Sequence, residues 1–274
     1  MADTVPAEKV TVPKIRARKR RNGSEPIVML TAYDTPGARI CDAAGVEIIL
    51  VGDSVADNVL GYLNTLQVDT ATMAHHVAAV GRATPRALVV GDMPWLSYHV
   101  SVEDAVRNAA TLVRAGAEAV KLEGGRTRAP VIEAILGAEV PVMGHLGLTP
   151  QSVHVMGGYR VQAKEEAAAD MLLRDAEALA AAGCFAIVLE GVPDVVAAKV
   201  TAEVDVPTIG IGAGPACDGQ VLVFHDLLGL NEGKPPRFVR RYAQLSQVAT
   251  EAVRAWAADV RAGSFPSDAE TYHR

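Results

Sequence analysis

The side chains with chemistry to offer are Asp53, Asp92, Lys121, Glu123, His145 and Glu190, and each closes a short apolar run: IILVGDS, ALVVGDMP, AVKLEGG, VPVMGHLGLTP or FAIVLEGVP. Carboxylates gathered in one place repel one another unless a cation or a proton compensates. Asp53, Asp92 and Glu123 offer only oxygen, a donor set that suits Mg2+ rather than zinc or copper. Mg2+ retains waters, and those positions are open to a substrate. The alternative for the same acids is structural: helix caps and ion pairs. Lys121 and Glu123 stand two apart in a strand-like run, so they share a face with Leu122 opposite. The lysine would balance the acids and hold an anionic substrate. Glu190, among apolar neighbours, suits a general base with raised proton affinity; pairing with a lysine or arginine is the competing reading. His145 would donate a hydrogen bond to a substrate carbonyl, bind a metal, or be satisfied by the backbone.

Other candidates are weaker. His75 and His76 fall in a helical pattern, where a metal role is not favoured. GIGAG lacks the G-x-G-x-x-G spacing of a nucleotide loop and reads as a tight turn. Cys41, Cys184 and Cys217 are widely spaced and form neither a disulfide framework nor a zinc spacing.

The elements that must position these residues alternate. Strand-like runs at 26–34, 46–54, 87–94, 119–125, 140–150, 185–193, 206–214 and 220–226 are separated by helical or loop segments. Such β-then-α units imply a parallel sheet. A closed (β/α)8 barrel of about 250 residues fits the length; a doubly wound open sheet is the runner-up. In a barrel all the strand ends named above meet at one mouth, where enzymes of this fold carry their active sites. Residues 23–274 read as one barrel domain, preceded by a basic arm or leading helix at 1–22. Within that arm KIRARKRR (14–21) packs six basic residues into eight and reads as solvated. A last helix is expected over 237–260, with Phe238, Tyr242, Leu245, Val253, Trp256 and Val260 at helical spacing, buried against its own barrel or a neighbouring subunit.

Composition excludes several classes. A formal charge of −6 argues against general nucleic-acid binding. No apolar run approaches the roughly eighteen residues that cross a bilayer, and MADTVPAEKV lacks the apolar core of a secretory signal. A cytosolic protein with a large aliphatic core is expected: 50% of the residues are hydrophobic and only 4% aromatic.

Nine motifs, MLTAYD, LVGDS, GDMP, VKLEGG, MGHLGLTPQSV, GGYRVQ, VLEGVP, IGIGAG and CDGQVLVFHDLLG, occur in this order. Together they strongly resemble the ketopantoate hydroxymethyltransferase family over about residues 26 to 262. The resemblance implies transfer of a hydroxymethyl group from 5,10-methylenetetrahydrofolate to C3 of 3-methyl-2-oxobutanoate, giving 2-dehydropantoate on the path to pantothenate. It implies one Mg2+ per subunit on acids matching Asp53, Asp92 and Glu123. Substrate contacts would be Asp53, Ser54, Asp92 and Lys121, with His145 near the substrate oxygens and Glu190 as proton acceptor. A (β/α)8 TIM barrel assembled as a homodecamer of paired pentamer rings is implied as well. No residue of the sequence marks the folate site. The closest rival is a Mg2+-dependent enzyme of the phosphoenolpyruvate mutase and isocitrate lyase group, against which GHLGLTPQSV and GGYRVQ argue. A nucleic-acid partner using the basic arm is the rival of another class.

Overall fold

The computed structural model describes residues 8–19, 23–231 and 233–274. The chain divides into two compact units at a boundary after Phe224, where the sequence reading has one domain to residue 274.

The first unit contains eight parallel strands closed into a barrel in the order β1 to β8. They are β1 (Ile27–Thr31), β2 (Ile48–Val51), β3 (Leu88–Asp92), β4 (Ala119–Glu123), β5 (Val142–Gly147), β6 (Ala186–Glu190), β7 (Thr208–Ile211) and β8 (Gly219–Leu222). The helices among them are α1 (Val12–Arg16), α2 (Thr35–Ala43), α3 (Val55–Asn58), α4 (Thr70–Gly81), α5 (Val102–Ala115), α6 (Ala129–Gly137), α7 (Val153–Met156), α8 (Glu166–Ala181) and α9 (Asp194–Glu203). Local chemistry sets several helix starts. Asp34 accepts from the Gly37 amide at 2.7 Å, Asp69 from Thr72 at 2.8 Å and Ser101 from Asp104 at 3.1 Å, each satisfying an amide without an intrahelical partner.

Strand alternation sorts the barrel lining into layers. Leu88 and Val90 of β3, Ala119 of β4, Met143 of β5 and Ala186 and Val188 of β6 belong to the buried apolar cluster. Two residues further along the same faces come Asp92, Lys121, His145 and Glu190. The interior is therefore an aliphatic plug under a polar layer at the carboxyl ends.

The described part of the leading segment is a short helix with Lys14 and Arg16 exposed, but it is not solvated throughout. Val10 and Ile15 join the barrel's apolar cluster. Lys19, 2% exposed, donates to Asp218 at 2.8 Å and to the Val206 carbonyl at 3.0 Å. Arg20 and Arg21 of the basic run lie outside the described residues.

β8 ends earlier than its apolar pattern suggests, because the Phe224 amide donates to Thr31 Oγ1 at 3.0 Å and helix α10 (Phe224–Leu228) begins. His225 and Asp226, read from sequence as strand-end residues, lie on that helix. The second unit, His225–Arg274, ends in helix α11 (Leu245–Ala262), shorter at its start than the expected 237–260. Phe238 and Tyr242 precede it; the Tyr242 amide is committed to the Leu227 carbonyl at 2.8 Å instead of a helical partner. Val253, Trp256 and Val260 on α11 are exposed. Among the described residues no helix is long and apolar enough to cross a membrane.

Candidate active site

Strand register decides which polar residues meet. Asp92 pairs with Lys121 across β3 and β4, and Glu123 pairs with His145 across β4 and β5. The side chains follow: Lys121 Nζ is 2.9 Å from Asp92 Oδ1 and His145 Nδ1 is 3.3 Å from Glu123 Oε1. His145 also reaches β6, with Nε2 at 3.3 Å from Glu190 Oε2. Glu190 is thus neither isolated among apolar groups nor paired to a lysine or arginine; its partner is a histidine. Lys121 Nζ and His145 Nδ1 are 3.3 Å apart, so β3 to β6 carry one continuous row of charge. Asp92, Lys121, Glu123 and His145 are buried, while the Glu190 side chain keeps 16% of its surface.

Asp53 lies in the turn after β2, and its amide donates to Asp92 Oδ2 at 3.2 Å. Ser54 follows, its Oγ 2.8 Å from the Tyr33 hydroxyl, which also accepts from Thr31 Oγ1 at 3.0 Å. The structure brings together all seven residues that the sequence and the resemblance single out. Asp34, also at a strand end, takes the structural role as the cap of α2, and His76 bonds the Tyr33 carbonyl at 2.8 Å.

Tyr33, Tyr98 and Gln151 went unassigned. Gln151 Nε2 donates to Asp53 Oδ2 at 2.8 Å, and its amide donates to Glu123 Oε2 at 3.0 Å. Tyr33 stands in MLTAYD and Gln151 in GHLGLTPQSV, so the motifs contained both without indicating what they touch.

The electrostatics are those of crowded acids. Burial, then the charges of Asp92 and Glu123, hold the Asp53 carboxyl well above the usual carboxylate range. Burial also raises Asp92, against the pull of Lys121. Burial would raise Glu123 too, but the His145 hydrogen bond and charge, with Lys121, bring it below its ordinary value. Burial and Lys121 disfavour a charged His145, yet bonds to Glu123 and Glu190 outweigh them and raise it to about 9. Nδ1 lies within reach of both Glu123 and the Lys121 ammonium, while Nε2 faces Glu190 without an aligned hydrogen bond.

This donor set fits a hard divalent cation. Asp92 Oδ1 and Glu123 Oε1 are buried without a well-aligned hydrogen bond, despite the nearby Lys121 and His145. At Asp53, burial and the charges of Asp92 and Glu123 outweigh Lys121 and the Gln151 hydrogen bond, a balance that a bound cation would redress. Among the described residues no group of three or more His, Cys, Asp or Glu side chains stands ready to hold a metal ion. A Mg2+ here would be held by one or two of these carboxylates, with water and substrate oxygens completing its shell.

A closed parallel barrel with charged and titratable side chains at its carboxyl-end mouth is the construction of an enzyme. Among solved structures, a putative phosphonomutase from Burkholderia cenocepacia superposes with a TM-score of 0.61 at 18% identity, covering 91% of this chain and 98% of that one. A 2,3-dimethylmalate lyase of the phosphoenolpyruvate mutase/isocitrate lyase superfamily gives 0.61 at 17%, covering 95% and 91%; these establish the fold. Sequence relatives are far nearer. The 3-methyl-2-oxobutanoate hydroxymethyltransferase of Koribacter versatilis is 56% identical over 97% of this chain and 90% of its own. That of Ignicoccus hospitalis is 58% identical over 95% and 98%. The family described as ketopantoate hydroxymethyltransferase matches residues 9–268. The chain belongs to that family and is a transferase.

Proposed function

We propose that the enzyme moves a hydroxymethyl group from 5,10-methylenetetrahydrofolate to C3 of 3-methyl-2-oxobutanoate, giving 2-dehydropantoate for pantothenate synthesis, with Mg2+ held by Asp53, Asp92 and Glu123. The observation that carries this reading is the unbroken row Asp92–Lys121–His145–Glu190, with Glu123 beside His145. It sets a candidate base beside a charge cluster suited to a 2-oxo acid. A hydrogen on carbon next to a ketone is weakly acidic, and its removal leaves an enolate whose charge must be stabilised. Mg2+, when bound, supplies Lewis-acid polarisation of the keto oxygen.

The chain's own residues do the rest. Lys121 and the Ser54 hydroxyl hold the substrate carboxylate and thereby select the face of C3 presented. Tyr33 and Thr31 fix the Ser54 hydroxyl. Glu190 accepts the C3 proton, and His145, with Nε2 3.3 Å from its carboxylate, keeps it aimed. The enolate carbon then forms a bond to the one-carbon unit; overall a water supplies the hydroxyl and tetrahydrofolate leaves. Assembly as a homodecamer is part of the same reading. It is motivated by the exposed Val253, Trp256 and Val260 and checked by molar mass in light scattering.

The test is deuterium exchange at C3 of 3-methyl-2-oxobutanoate without folate. Wild-type enzyme should exchange only with Mg2+, and Glu190→Gln should lose about 10²- to 10⁴-fold in rate. Full exchange by that variant would move the base elsewhere. Turnover of phosphonopyruvate or isocitrate without folate would favour the chemistry of the rival group.

A further inference from the structure

Gln151 is buried and lies in a short 3-10 turn, Pro150–Ser152, after β5. Its carboxamide orientation is dictated rather than free. The Tyr98 oxygen accepts from the Glu123 amide at 3.2 Å, so the hydroxyl's single hydrogen goes to Gln151 Oε1, 2.5 Å away. With its oxygen occupied, Gln151 turns Nε2 the other way and spends both hydrogens, on Asp53 Oδ2 at 2.8 Å and on the Met93 carbonyl at 3.0 Å. Its backbone amide takes Glu123 Oε2. One residue thus grips one oxygen from each of two acids, one in the turn after β2 and one on β4. Tyr98 is itself immobilised: 1% exposed, with the His99 ring 4.2 Å away and the Arg128 guanidinium 5.5 Å from its ring centre.

From this arrangement we infer that Tyr98 and Gln151 are positioning residues that set the divalent-cation affinity of the site by locking the Asp53 and Glu123 carboxylates. The inference rests on the Mg2+ reading above. Two buried carboxylates that repel each other would otherwise rotate apart. A donor clamp on one oxygen of each restrains this. Groups that orient ligands in this way typically govern metal affinity by about 10- to 100-fold.

The test measures dissociation constants for Mn2+, by electron paramagnetic resonance, and for Mg2+, by calorimetry, on full-length protein shown to be folded by circular dichroism. Tyr98→Phe removes one oxygen and keeps the ring; it frees Gln151 to turn its carbonyl toward Asp53. Gln151→Met keeps the length and removes both donors. Each should weaken Mn2+ at least about 10-fold, and saturating Mg2+ should restore most of kcat in Tyr98→Phe. Asp69→Ala, which removes a helix cap remote from the site's hydrogen bonds, should leave the Mn2+ constant unchanged. A folded Tyr98→Phe with wild-type affinity overturns the inference while leaving the Mg2+ reading intact. Loss in Asp69→Ala equal to that in Tyr98→Phe would show general softening and also overturn it. If wild-type protein binds neither ion, both readings fall.

Discussion

Glu190 is held by two kinds of neighbour, and only one is a side chain. His145 Nε2 lies 3.3 Å from its carboxylate, while its backbone carbonyl accepts from the Leu148 amide at 2.7 Å. Between them sits Gly147, with φ of +92°. A Cβ built there would lie 2.3 Å from the Glu190 carbonyl oxygen, far inside van der Waals contact. Neither fault can relax cheaply, since the obstacle is backbone and the conformation disfavours any L side chain. Gly147→Ala should therefore lower kcat by displacing Glu190, beyond the effect of its lost stability. Exchange at C3, measured well below the variant's melting temperature, checks this; a wild-type rate would show that Glu190 tolerates the shift.

At the scale of elements, the barrel helices depend on their caps. Asp69 accepts from both the amide and the hydroxyl of Thr72, at 2.8 Å and 2.7 Å, and opens α4, which buries Met73, Val77 and Val80. Asp69→Ala should cost about 1 kcal/mol in denaturant unfolding. The Thr72 hydrogen bonds hold the Asp69 carboxyl below its ordinary value. A depressed folded-state value means that the cap contributes fully above the unfolded carboxylate range, near pH 4, and that its contribution fades as pH falls through the folded value. The gap between wild type and Asp69→Ala should accordingly narrow on acidification below about pH 4. A gap constant down to pH 2 would mean that the carboxylate's charge is irrelevant to the cap.

Across the whole molecule, the feature that binds distant parts of the chain within the first unit is the Lys19–Asp218 pair. Both side chains are almost fully buried, at 2% and 1%, and Asp218 also accepts from the Thr208 amide at 2.8 Å. Removing one member of a buried ion pair typically costs about 3–5 kcal/mol. Lys19→Ala should destabilise the first unit by that order in urea titrations, with the midpoint lowered and the slope unchanged. A shift under about 1 kcal/mol would show that the leading segment is held by Val10 and Ile15 alone.

What the sequence determined by itself was whatever depends on near neighbours. Eight apolar runs separated by helical segments specified a parallel sheet, because strands buried on both faces and helices with one apolar stripe leave distinct periodicities. The chain length favoured closure of that sheet into a barrel over an open sheet. Alternation put Lys121 and Glu123 on one face, and the strand-end positions of Asp92, Glu123, His145 and Glu190 placed them at the mouth. What only the tertiary structure decided depends on register and on reach across the barrel. Periodicity says which way a side chain points, not which residue of another strand lies beside it. So the coupling of Glu190 to His145, the clamp of Gln151 on Asp53 across 98 positions, and the burial of Lys19 against Asp218 across 199 left no local trace. The start of α11 was hidden for a related reason: Phe238 and Tyr242 continue its spacing, and only the bond from the Tyr242 amide to the Leu227 carbonyl shows that the backbone there is not helical.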